Sequence, residues 1–205
     1  MPTARTRLVA RHAGRRDARL FIVATEGAKT EPQYIEALKL NGLIDKSRII
    51  VEVIRTPDGQ SSPEQVFDRL KEARNHYELK PFDEFWLLLD VDRGRDMKLS
   101  EVAQKALQCG YSLGVSNPCF EVWIALHSVD TLPAFGNCYA VEAHIRQLWG
   151  AYQKANLPVE RFSREAVEAA IERAKRLDSD PSARWPQAPP ATHAHRLFER
   201  LLGRT

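Results

Sequence analysis

Three acidic residues stand where carboxylates can do chemistry. Glu26 directly follows a short apolar run at residues 20–25, and Asp90-Val91-Asp92 directly follows a second apolar run at 85–89. Runs of this kind, rich in branched and aromatic residues, are the pattern of buried parallel strands. In an open parallel sheet ligands bind at the carboxyl ends of the strands, so the acidic ends predict a carboxylate cluster on one sheet edge. Such a cluster suits a hard cation: magnesium or manganese takes oxygen ligands and bridges to phosphate. Two such ions can activate water and stabilise the leaving oxygen in phosphodiester cleavage. Asp-x-Asp alone serves equally well as a strand terminator capping the next turn; the second acidic strand end moves the reading toward function. Glu121 adds a further acid about one helical turn beyond another strand, within Ser116-Asn117-Pro118-Cys119-Phe120-Glu121.

Other motifs carry less. Gly27-Ala28-Lys29-Thr30 lies between strand and helix like the end of a P-loop. However, the first glycine of that motif would fall at Ile22, Ala28 replaces the second, and Glu26 would repel phosphate. His193 and His195 have no cysteine near them in sequence and read as surface histidines. Cys119 reads as packing, and Trp86 and Trp123 as core. Lys29 and Arg93 flank the acids and are candidates to meet a phosphate, as are Arg15 and Arg16 further upstream.

The elements that must position these groups follow from periodicity. Strands are predicted at 20–25, 49–54, 85–89 and 111–115. A helix starts at Thr30, with Gln33 completing a capping box, and stops at Asn41-Gly42. The next opens on Ser62, Pro63 and Gln65 and presents Val66, Phe67, Leu70 and Ala73. A third places Val102, Ala103, Ala106 and Leu107 on one side, and a fourth opens on Asn117-Pro118 and runs through Phe120, Trp123, Ile124 and His127. Four alternations of strand and helix argue an α/β domain with a mostly parallel sheet over 20–130. Beyond it the strands stop. Residues 131–205 read as a helical C-terminal extension, with amphipathic helices at 141–153 and 163–178 and a last one capped by Thr192.

Composition sets the class. The chain of 205 residues is 43% hydrophobic and 28% charged, ordinary for a water-soluble globule. Its longest apolar stretch is far too short to span a bilayer. No apolar signal core follows the N-terminal arginines, and the three cysteines form no paired motif, so a reduced, cytoplasmic setting is expected. Residues 1–19 form a basic arm, with six arginines against Asp17; its charge of +5 leaves −2 on the rest of a chain of net charge +3. Such an arm either binds nucleic-acid phosphates or is a solvated leader.

Several segments together resemble the RloB-like family. They are residues 22–34, from Ile22 through Glu26 to Tyr34; Phe82-Asp83-Glu84 leading into Trp86 and Asp90-Val91-Asp92; residues 116–123 followed by Leu126-His127; and Pro190, Thr192, His195 and Leu197. The resemblance runs from about residue 20 to 202. It implies a Toprim-like sheet flanked by helices, with Glu26, Asp90 and Asp92 as a magnesium site and Glu31 and Glu121 as supporting acids. It also implies a magnesium-dependent phosphodiester nuclease of a prokaryotic anti-phage or restriction-associated system, working with an ABC-type ATPase partner on nucleic acid. The alternative is a non-catalytic nucleic-acid-binding or regulatory subunit that keeps the scaffold. Ala24 and Ala28 stand where the family pattern has Cys and Glu, and Arg93 where an acid is frequent, which leaves one metal or two open.

Overall fold

Alternation of side chains across the strands builds two cores from one sheet. The computed structural model describes residues 17–57, 60–91 and 96–204. In chain order the elements are β1 (Arg19–Thr25), α1 (Thr30–Leu40), β2 (Ile49–Ile54), α2 (Pro63–Arg74), β3 (Glu84–Asp90), α3 (Asp96–Gln108), β4 (Ser112–Asn117), α4 (Glu121–Ala125), α5 (Cys138–Trp149), α6 (Arg164–Leu177), β5 (Ala191–Thr192) and α7 (Ala194–Leu201). The sheet order is β2-β1-β3-β4-β5, with the first four strands parallel and β5 antiparallel to β4. The chain is an α/β protein built on a mostly parallel sheet.

Period-two alternation sends Phe21, Val23, Trp86 and Leu88 to one face and Leu20, Ile22, Ala24, Phe85, Leu87 and Leu89 to the other. The first face is covered by α1, α4, α5, α6 and α7; the second by α2 and α3. The chain moves outward from β1 to β2, then returns across β1 to β3. The direction of winding reverses between β1 and β3, and the crossover helices α1 and α2 consequently fall on opposite faces. A crevice is expected outside the carboxyl ends of those two strands. Gly114 on β4 lets the start of α7 lie close: a Cβ there would overlap Leu88 and stand 3.4 Å from the Ala194 Cα.

Local signals hold where they are self-contained. Ser62 and Gln65 form the capping box of α2 with both bonds in place, and Gly42 ends α1 with φ of 67°. Four expectations are corrected. Thr30 does not cap α1: Lys29 occupies the N-cap position without a side-chain bond, and the Thr30 hydroxyl is used elsewhere. Leu107 is 53% exposed, and the apolar stripe of α3 is completed by Leu99 instead. A strand does follow residue 130, because β5 joins β4 through Ser116–Thr192 and Asn117–Ala191 pairing. His193 and His195 are buried, since β5 carries them into the fold; His193 Nε2 lies 2.9 Å from Asp178 Oδ2, and His195 Nδ1 bonds the Thr192 carbonyl. Residues beyond 130 thus share a core with β1 and β3, and α6 and α7 pack on α1 and α4. The arm lies almost wholly outside the described residues.

Candidate functional site

The register decides which acids meet. Thr25 is level with Leu88 across the β1–β3 pair, so Glu26 leaves its strand beside the end of β3. Its backbone N–H donates to the Leu88 carbonyl at 2.9 Å, and its Oε2 accepts the Asp90 backbone N–H at 3.0 Å. Asp90 Oδ1 in turn accepts the Phe120 backbone N–H at 2.9 Å, which ties the turn after β4 to the end of β3. Glu26 and Asp90 line a cavity of about 400 Å³ closed by Val91, Pro118, Asn137 and Cys138. A larger cavity, about 720 Å³, lies where α1 ends, among Lys39, Arg48 and Arg164, and holds none of these acids.

Two more carboxylates stand behind the pair. Glu31 is 3% exposed, and its Oε1 accepts the Gly27 N–H at 2.8 Å. A Cβ at Gly27 would overlap the Glu31 carboxylate, so a side chain at this position would displace it. Glu121 is equally buried, and its Oε1 collects three donors: Thr30 Oγ1 at 3.1 Å, the Tyr152 hydroxyl at 3.2 Å and Lys154 Nζ at 3.2 Å. Lys154 also reaches Glu142 Oε1 at 3.0 Å.

The four acids feel one another. Burial pushes Glu31 up to about 7, with Glu121 and Glu26 adding to the rise against backbone hydrogen bonds that oppose it. Asp90 is raised well above the usual carboxylate range by burial and then by the charges of Glu31, Glu26 and Glu121. A site that lifts its own carboxylates in this way stabilises added positive charge.

Of the residues expected from the sequence, Glu26, Glu31, Asp90 and Glu121 converge. Lys29 is exposed at the start of α1. Asp92, Arg93, Arg15 and Arg16 lie outside the described residues. Among the described residues no three His, Cys, Asp or Glu side chains come close enough together to hold a metal ion. The donors nevertheless suit magnesium, which often takes only one or two protein carboxylates and fills its remaining positions with water and phosphate. Sequence reasoning missed Thr30, Tyr152, Lys154 and Cys138. Tyr152 falls near the end of the stretch read as a helix at 141–153, which stops at Trp149 in the structure, and Lys154 lies just beyond it; only their approach to Glu121, 31 residues away in the chain in the case of Tyr152, gives them a role.

An α/β sheet with a carboxylate-lined cleft at its winding reversal is thus the frame of this molecule. Residues 21–201 match the family model described as RloB-like protein, and the chain belongs to that family. No curated protein and no solved structure matches the chain. Among the described residues no helix is long and apolar enough to cross a membrane.

Proposed function

We propose that this protein is a magnesium- or manganese-dependent phosphodiester nuclease with a Toprim-like site, acting in the cytoplasm in anti-phage or restriction-associated defence with an ABC-type ATPase partner. The observation that carries the proposal is the convergence of Glu26 and Asp90 at the winding reversal of the sheet, with Glu31 and Glu121 behind them. Glu26, Asp90 and Asp92 would hold the metal. When bound, it would supply positive charge to the scissile phosphate and lower the pKa of a coordinated water. Glu31, with its pKa near neutrality, is suited to hold or release a proton at its carboxyl. Glu121 is fixed by Thr30, Tyr152 and Lys154 at the back of the site. Lys29, Arg93 and the arm arginines Arg15 and Arg16 are the proposed phosphate contacts.

A second reading is a non-catalytic scaffold that binds nucleic acid without cutting it. Cleavage of plasmid DNA, single-stranded DNA and tRNA, assayed with Mg²⁺ or Mn²⁺ and with or without the ATPase partner, separates the two. Asp90→Asn removes charge but almost no volume, so it should abolish cleavage while leaving the circular dichroism spectrum unchanged. Cleavage by the variant at the wild-type rate would make Asp90 structural. Binding without cleavage under every condition would favour the scaffold reading.

A further inference from the structure

The edge of the sheet remote from the acids carries the opposite charge. The cavity of about 720 Å³ is lined by Lys39, Lys46, Arg48 and Arg164 against one acid, Asp45. A second cavity, of about 430 Å³, shares Arg48, Ile49 and Gly203 with it and adds Arg19, Arg200, Phe82 and Asp17. The two run together as one groove. Arg19 opens β1 and Ile49 opens β2, so the groove follows the amino ends of the strands, whereas Glu26 and Asp90 stand at the carboxyl ends. The seven residues of β1 put about 20 Å between the two edges.

The cations of the groove are loosely neutralised. Glu84 alone serves two guanidiniums, at 3.2 Å from Arg19 and 2.6 Å from Arg200. Asp45 stands 3.6 Å from Arg48, whose side chain is 85% exposed. Lys39 and Arg164 meet Glu36 and Glu168, each also at 3.6 Å. Lys46 is exposed and has no ion pair among the described residues. With Glu36, Glu84, Glu168 and the Asp17 partner Lys80 counted in, cations still exceed acids by seven to five. Exposed pairs of this kind are weak, so phosphates can take the place of the carboxylates at little cost. Residues 1–16 add five arginines and no acid, and the chain enters the described body at Asp17, on this groove.

Phe82 sets an aromatic ring among these charges. It is 41% exposed, belongs to neither core, and has Lys80 Nζ 5.5 Å from its ring centre. We propose that the groove is a docking site for single-stranded nucleic acid, with Lys46, Arg48 and Arg164 meeting phosphates and Phe82 stacking on a base. A single strand offers phosphates and open base faces together, whereas a duplex keeps its bases stacked inside. The proposal shares with the function above its nucleic-acid partner and not its cleavage chemistry. Carboxylates without a metal repel phosphate, so a cationic edge remote from them supplies affinity that the acid edge does not.

The test measures binding of a fluorescein-labelled oligothymidylate to the full chain by anisotropy, across a salt series and in chelator so that no cleavage enters. The double variant Lys46→Glu with Arg48→Glu is compared with Lys71→Glu with Lys105→Glu, which makes the same change of net charge at exposed sites on α2 and α3. Circular dichroism checks that each variant folds. The groove variant should bind at least about tenfold more weakly than the control variant, with a salt slope flatter by about 1. Phe82→Ala should weaken the oligothymidylate about fivefold or more and leave a duplex and inorganic polyphosphate unaffected. Equal binding by the two double variants, or no binding by the wild type, would overturn the docking site. An equal effect of Phe82→Ala on all three probes, or none on any, would overturn the single-strand assignment. Groove-dependent binding by a wild type that cleaves nothing with Mg²⁺ or Mn²⁺ would end the nuclease reading and uphold this one.

Discussion

The two faces of the sheet are made differently. The face under α2 and α3 is filled by aliphatic side chains with Phe67, Phe85 and Tyr111 at one end, and no buried charge from these helices appears among the described residues. The face under α1, α4, α6 and α7 is aromatic. Tyr34 meets Phe120, Trp123, Phe162, Phe198 and His127 edge-on, and Trp123 stacks on Phe198 at 5.0 Å. Glu31, Glu121 and His127 are buried on that same side. Burying carboxylates costs stability unless donors surround them, so their confinement to one face marks where the molecule carries groups that packing alone does not require. Rings that lock one another hold the backbone from which Glu31 and Glu121 project.

The sharpest way to break this contrast is to remove a ring. Trp123 is fully buried between Tyr34, His127 and Phe198. Trp123→Ala should cost about 4 kcal/mol, from lost burial and the cavity left behind. On the opposite face Leu70→Ala should cost about 3 kcal/mol. Urea titrations measure both. Unequal effects on the carboxylates are the discriminating readout: Trp123→Ala should shift the carboxyl resonances of Glu31 and Glu121, and Leu70→Ala should leave them in place.

Acid titration comes next, because the buried face carries two shifts of opposite consequence. Burial pushes His127 down to about 4, and its neutral ring fits its bonds: Nδ1 donates to the Trp123 carbonyl and Nε2 accepts from the Tyr34 hydroxyl. Between pH 6.5 and about 4 the unfolded chain takes a proton that the folded chain refuses. Stability is therefore lost across that window as pH falls, by up to about 3 kcal/mol. Glu31 acts the other way. Raised to about 7, it is protonated in the folded chain before the unfolded one, so its penalty is full above pH 7 and is relieved as pH falls to 4.5. Glu31→Gln keeps an oxygen for the Gly27 N–H and removes the charge. In chelator, it should be more stable than wild type above pH 7 by up to about 3 kcal/mol, with the gap closing by pH 4.5. Parallel stability curves for the two proteins would contradict the assignment.

The same contrast explains what could be read without coordinates. Glu26 and Asp90 were legible because strand ends follow from apolar runs, and parallel strands put their ends on one edge. The capping box at Ser62 was legible because both partners lie within four residues. Thr30 offers the same local pattern with Gln33, yet its hydroxyl serves Glu121, 91 residues away, and Gln33 reaches the Lys154 carbonyl. A tertiary partner outcompeted a local one, and no window of sequence shows that. His193 and His195 failed similarly: a two-residue strand is too short to announce itself, but pairing with β4 draws both rings inside. Asp92 and Arg93 fall outside the described residues, so the Asp-x-Asp half of the motif rests on sequence.

The smallest effect contrasts one tyrosine from each face. The Tyr152 hydroxyl donates to Glu121 Oε1, and burial is the main cause that raises its pKa. Tyr152→Phe leaves Glu121 with Thr30 and Lys154, so the charge is not stranded and the cost should be about 1–2 kcal/mol. Tyr111, on the aliphatic face, has the Arg74 guanidinium and Cys109 near its hydroxyl and makes no well-formed hydrogen bond. Tyr111→Phe removes a buried oxygen that gains little from its surroundings, and stability should change by less than about 0.5 kcal/mol. Both substitutions delete the same atom, so side-chain entropy and transfer of the ring nearly cancel between them. The difference then isolates what a hydroxyl is worth when it donates to a buried carboxylate compared with one that makes no well-formed hydrogen bond. Equal losses in paired urea titrations would mean that Glu121 draws no net support from Tyr152, leaving Lys154 and Thr30 to hold its charge.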